Sequence, residues 1–299
     1  LLWNFILPQI TGFQSVPSNV GEISNTGIEV LLNTTPIKTA RFSWDLSING
    51  AANQNRIERL LGLDLDEDGE EDDLIANGLF IGESIGTIYD YSVDGIWQIG
   101  EDGIPNGWAP GLYKLRDLNG DDKITPQDDR HILGRREPAY EFGVQNTLRY
   151  GDFTLRFFIK SIQGGKNGYL GENNPWAGGY GTPGTAQASN WYAEIDYWSP
   201  SNPDATYRLP GPAAAIGGRR YFSRSFVRLQ DISLAYNLSE KLLNRLRLQG
   251  MKVFVSGKNL ITLTDWEGWD PETGQGLGAT QGRALPVMRG LTVGLDISL

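Results

Sequence analysis

The sequence predicts an all-β protein, specifically an antiparallel transmembrane β-barrel segment with long loops at one end. Several stretches alternate apolar and polar side chains with a period of two, which no helix produces. The connections between those stretches are short and long in turn. The composition, 11% aromatic with 38 glycines in 299 residues, favours strands and turns over helices.

The strands are read in chain order. In residues 27–34, Ile28, Val30 and Leu32 oppose Glu29 and Asn33. In 41–49, Phe42, Trp44, Leu46 and Ile48 oppose Arg41, Ser43, Asp45, Ser47 and Asn49. In 140–150, Tyr140, Phe142, Val144, Leu148 and Tyr150 oppose Glu141, Gln145, Thr147 and Arg149. In 153–160, Phe153, Leu155, Phe157 and Ile159 oppose Thr154, Arg156 and Lys160. Residues 226–236 alternate with a phase slip at Gln230-Asp231, read as a β-bulge. Residues 251–261 alternate more weakly. The clearest stretch is the last, Leu285 to Leu299, with Leu285, Val287, Leu291, Val293, Leu295, Ile297 and Leu299 on one face. Arg289 shares that face, so it is expected near a membrane rim, where it can snorkel. The result is about seven strands of about 8–14 residues, long enough to cross a bilayer at a tilt.

Pro36–Thr39 reads as a short turn, 52–138 as a long loop and Gly151-Asp152 as a tight turn. Residues 163–220 read as a second long loop and 263–284 as a third. The compact stretch 238–250 holds a short helix at Ser239–Leu246, capped by Ser239. Alternating short and long connections is the barrel pattern, in which the short turns are periplasmic and the long loops extracellular. A soluble β-sandwich also alternates. The polar face, with Arg41, Asp45, Glu141, Arg149, Arg156 and Lys160, suits a hydrated lumen or a plug better than a sandwich surface.

Composition narrows the function. Net charge is −10, which repels phosphate backbones and argues against nucleic acid. Without cysteine there is no disulfide, thiolate metal site or cysteine nucleophile. No apolar run reaches the length of a transmembrane helix, which does not bear on barrel strands. The chain opens Leu1-Leu2-Trp3-Asn4, with no initiator Met and no signal peptide, and reads as a piece of something longer.

Several motifs in order resemble the C-terminal region of the SusC/RagA class of TonB-dependent outer-membrane transporters. Thr11-Gly12-Phe13, Asn19-Val20-Gly21-Glu22 and Asn25-Thr26-Gly27-Ile28-Glu29 lead into a strand. Phe42-Ser43-Trp44 to Asn49, then Asn53-Gln54-Asn55, form a strand and its exit. Residues 117–134, with Ile124, Asp128-Asp129 and Leu133-Gly134, followed by Pro138 and Gly143, form the most recognisable block. Val227-Arg228-Leu229, Ile232–Tyr236, Gly257-Lys258-Asn259-Leu260 and Asp270-Pro271-Glu272 resemble the closing strands. The resemblance implies a bacterial outer membrane of Bacteroidota type and a whole barrel of about 22 strands. It also implies a plug domain in the lumen, absent from this chain, TonB-driven import and a SusD-like surface lipoprotein over the mouth. One departure is the terminal Leu299, where such proteins tend to end in an aromatic.

Asp117, Asn119, Asp121, Lys123, Thr125 and Asp128 fit the positions of a calcium loop, with Lys123 contributing its backbone oxygen. Asp122 occupies the sixth position, normally glycine, and Asp128 is shorter than the usual Glu. The alternative is an Asx-bonded turn without metal. The acidic run from Asp64 to Asp73 reads as a solvated loop. Seven tryptophans fall in the loops: Trp97, Trp108, Trp176, Trp191, Trp198, Trp266 and Trp269. They suit stacking on cargo or docking of a partner, or else packing inside folded loops. The single histidine, His131, offers no nucleophile system, and no residue is expected to be catalytic.

The expected function is TonB-dependent import of a glycan or oligopeptide nutrient, this chain supplying barrel wall and extracellular loops in contact with lipid and the rest of the barrel. The alternatives are a soluble calcium-dependent carbohydrate-binding β-sandwich module, a secreted glycan hydrolase and a barrel serving mainly as a structural member of a larger surface complex.

Overall fold

The computed structural model describes residues 2–6, 9–19, 21–64, 67–168, 196–209, 216–266, 270–272 and 287–298. Ahead of the main sheet, β1 (Leu2–Ile6) pairs with β2 (Ser15–Asn19). The wall strands are β3 (Glu22–Lys38), β4 (Phe42–Arg59), β9 (Pro138–Tyr150), β10 (Phe153–Gly164), β13 (Phe226–Asn237), β14 (Gly250–Thr264) and β15 (Gly290–Ser298). The loops carry β5 (Thr87–Tyr91), β6 (Val93–Ile96), β7 (Tyr113–Leu115), β8 (Arg130–Arg135), β11 (Lys166–Gly168) and β12 (Tyr221–Ser223).

The seven wall strands form one antiparallel sheet in the order β15-β14-β13-β10-β9-β4-β3. Three neighbouring pairs, β3–β4, β9–β10 and β13–β14, are joined at one end by short connections. Thr39 closes the β3–β4 turn by bonding Phe42. Gly151, with φ of 54°, makes the β9–β10 turn. A short helix α1 (Glu240–Leu246) links β13 to β14. Its N-cap residue is Ser239 as expected, but the Ser239 side chain makes no capping bond; its backbone oxygen accepts Leu242 and Leu243 instead.

The long loops lie at the other end, and their edges differ from the sequence reading. Strand β4 continues to Arg59 rather than stopping near residue 51, because Asn53, Gln54 and Asn55 pair in register with β3. Strand β3 runs through Pro36 to Lys38. The register shifts between Thr34 and Ile37, and such an irregularity is where a strand tolerates a residue with no N–H. Strand β15 begins at Gly290, and Arg289 sits just before it at the loop end. Leu285 and Leu299 lie outside the described residues. The slip at Gln230-Asp231 is a bulge against both neighbours.

The register puts most apolar residues of the seven strands on one face. Phe157 lies between Asn146 and Ile232, and Leu155 between Leu148 and Leu234. On β15 this face is open, with Leu291 at 77% and Val293 at 78% exposure. At the short-turn end, Phe42, Tyr150, Phe153 and Tyr236 fall side by side, the last two rings 4.7 Å apart. An aromatic row of this kind marks the water–lipid boundary of a barrel. Asn146 interrupts the apolar face midway along β9, and its Oδ1 accepts the Trp44 indole N–H at 3.0 Å.

The opposite face is polar. Arg149 pairs with Asp45, which also accepts Thr35, and Lys252 pairs with Asp296 at 2.5 Å. Phe254 lies across Gly294, where a Cβ would come within 2.1 Å of its ring. Among the described residues the main buried apolar cluster is not in the sheet. It lies in the loops, where Tyr91, Ile96, Tyr113, Leu115, Trp198 and Ala205 pack with half-buried Trp108, Ile124 and Leu209.

Candidate functional site

A network of ion pairs lies on the polar face at the loop end. Lys160 on β10, Arg228 on β13 and Thr262 on β14 are register neighbours, so they project from the same patch of wall. The segment Asp270-Pro271-Glu272 folds back over them. Arg228 is 1% exposed and donates to Asp270 Oδ2 at 2.7 Å, Glu272 Oε2 at 2.5 Å and Thr262 Oγ1 at 3.0 Å. Lys160 holds the other Glu272 oxygen at 2.5 Å. Arg224 donates through Nε to the Pro271 carbonyl and stacks over Trp266, 4.7 Å from its centroid. Burial pulls the Arg224 guanidinium down to about 10, partly offset by the Asp270 charge. Five charged groups thus hold the Asp270–Glu272 segment against the polar face.

The calcium-like loop is a tightly bonded turn. Asp117 accepts N–H from Gly120 and Asp122, each at 2.7 Å. Asn119 accepts Asp121, Asp121 accepts Lys123, and Asp128 accepts the Thr125 hydroxyl. Asp122, at the glycine position, takes the left-handed conformation with φ of 62°. Among the described residues no three acidic or histidine side chains converge on a point that could hold a metal. The residue that closes the loop is Asp129, fully buried, which accepts Leu118 N–H at 2.8 Å and Thr125 N–H at 2.7 Å. In the acidic run, Asp64 binds the amides of Asp68 and Gly69, and Asp73 that of Ile81.

The described loop tryptophans are packed rather than displayed. Trp97, Trp198 and Trp266 are buried, and Trp108 leans on the loop core. Trp198 Nε1 bonds Gln98, and Lys114 sits 4.3 Å from the Trp97 ring. As placed, these four rings pack within the loops. Trp176, Trp191 and Trp269 lie outside the described residues. His131 sits in β8, with Nδ1 making no hydrogen bond. Sequence reasoning did not single out Arg224, Arg228 or Asp129 for a role. The signals were the motifs that contain Asp129, Arg228 and Asp270-Pro271-Glu272, which marked these residues without showing which of them meet.

No protein-family profile matches the chain. The chain is 33% identical over 288 residues to TonB-dependent receptor P3 of Formosa agariphila, covering 91% of this chain and 27% of that one. It is 30% identical over 320 residues to TonB-dependent receptor P26 of the same organism, covering 100% and 31%. It is 25% identical over 311 residues to TonB-dependent receptor SusC of Bacteroides thetaiotaomicron, covering 100% and 28%. Among solved structures, the RagAB peptide transporter superposes with a TM-score of 0.67 at 20% identity, covering 100% of this chain and 32% of that one. The RagAB importer in its open-open state gives the same score at 21% identity.

A one-faced apolar sheet, a rim of aromatics and this fold together define a segment of transmembrane β-barrel wall. The chain is similar over nearly all its length to TonB-dependent receptors, SusC among them, and it spans about three-tenths of the length of those curated relatives.

Proposed function

We propose that the whole protein imports an oligomeric nutrient, a glycan or oligopeptide, across the bacterial outer membrane of a Bacteroidota-type cell. This chain supplies barrel wall, and its long loops are the extracellular ones. The observation that carries the reading is the pairing of an open apolar face with a charged opposite face along the same seven strands. Only a wall between lipid and a hydrated lumen asks for both. Closure is completed by strands beyond this chain, the lumen is filled by a plug, TonB does the work through that plug, and a SusD-like lipoprotein lids the mouth. Deleting the parent gene is expected to abolish growth on the cognate oligomer but not on its monomer. The parent protein is expected in the outer-membrane fraction. Recovery in the aqueous fraction without detergent would favour the soluble sandwich instead.

For residues Asp117–Asp128 we propose calcium as a stiffening ion. Support comes from the left-handed Asp122, whose N–H reaches Asp117 as the glycine of a calcium loop does. Binding must draw Asp121 and Asp128 inward. Calcium is expected to raise the melting temperature of the full receptor relative to chelator, and Asp117→Asn to remove the difference. No rise would leave an Asx-bonded turn.

A further inference from the structure

We propose that a cavity in the loop region binds an anionic group, a carboxylate or sulfate, carried by the imported oligomer; this rests on the import reading above. The cavity, of about 320 Å³, lies where β5 and β8 meet β11 and β12. Its lining includes three cations, Lys166, Arg219 and Arg220, and no carboxylate. That is unexpected in a chain whose net charge is −10. Cations gathered around one hollow repel one another, and the arrangement is favourable when an anion enters. Planar guanidinium groups grip carboxylate or sulfate through paired N–H donors.

The surroundings fit such a guest. Lys166 donates to the Leu133 carbonyl at 2.7 Å, and an ammonium has three donors, so this bond fixes the side chain while using one. Arg220 is steadied over the Tyr113 ring, 5.7 Å from its centroid. The adjacent Asp90 carboxylate accepts the Tyr221 hydroxyl at 2.7 Å. Tyr91, Tyr221 and Phe222 supply aromatic wall beside the cations. The hollow holds one charged unit of an oligomer, not a whole cargo.

The test uses the full receptor in detergent with the subunits that accompany it. Isothermal titration compares a short oligogalacturonate with neutral oligogalactose, and a glutamate-rich peptide with its glutamine counterpart. One anionic probe is expected to bind at least about tenfold more tightly than its neutral counterpart. The advantage should shrink as salt rises and disappear in Arg219→Gln/Lys166→Gln. Arg219 is exposed, so Arg219→Gln alone is the variant to rely on should the double change fail to fold. Which pair shows the advantage tells whether the anion belongs to a sugar or a peptide. Equal binding within both pairs, no binding by either anionic probe, or an advantage that survives in the variants overturns the proposal. Import is read separately, from growth after gene deletion, so the cavity reading can fail while the import reading stands.

Discussion

Arg228 is the side chain on which the polar face most depends. Its guanidinium is almost wholly buried, and two carboxylates from a distant loop answer its charge. Breaking a buried pair by removing one partner leaves the other charge uncompensated, which costs about 3–5 kcal/mol. Arg228→Met should therefore release the Asp270–Glu272 segment and lower the unfolding temperature of the full receptor. Limited proteolysis should find new cleavage near residue 270, and unchanged cleavage would show that Arg224 and Lys160 suffice. Asn146 works on the apolar face by similar logic, since its pairing with Trp44 removes the cost of an amide facing lipid. Neither partnership was legible beforehand. Arg228 alternates in phase like any polar strand residue, and its partners lie 42 and 44 positions away.

At the scale of the element, β15 shows what period two means. Val293 faces outward with Leu291 and Leu295, while Thr292 and Gly294 face the polar side. Val293→Arg puts a cation into the apolar band, at a cost of about 2–4 kcal/mol near the bilayer midplane. Thr292→Arg, one residue away, should cost far less. Heat-modified mobility of the folded barrel on a gel would rank the two, and equal effects would argue against a lipid-facing row. The strands were legible because each carries its own pattern. Their ends were not. Asn53-Gln54-Asn55 looks like loop composition, yet it extends β4 because β3 supplies the matching edge. Ser239 heads α1 as the sequence suggested, while its side chain leaves the cap unmade.

At the scale of the molecule, the wall and the loops are stabilised differently, and acid should separate them. The wall rests on backbone ladders between seven strands. The loops rest on a small aromatic core and on carboxylates fixed beside it. A hydrogen bond from Lys114, then one from the Gln98 amide, holds Glu101 below the usual carboxylate range. Asn202, then the Thr206 amide, does the same for Asp196. Both pKa values are depressed on folding, so their contribution is present above the unfolded-state values and is lost as pH falls through the folded ones. Mild acid should therefore raise hydrogen exchange around residues 96–114 and 196–207 before the wall strands respond. Simultaneous loosening of wall and loops would contradict this. The sequence by itself determined the fold class, the seven strands, their facing and the alternation of turns and loops, because those depend on local periodicity. Only the tertiary structure decided that Trp97, Trp198 and Trp266 pack inside the loops, that Asp129 closes the loop begun at Asp117, and that Arg228 clamps a distant segment. Those outcomes depend on residues far apart in the chain meeting in space, and no local pattern encodes such a meeting.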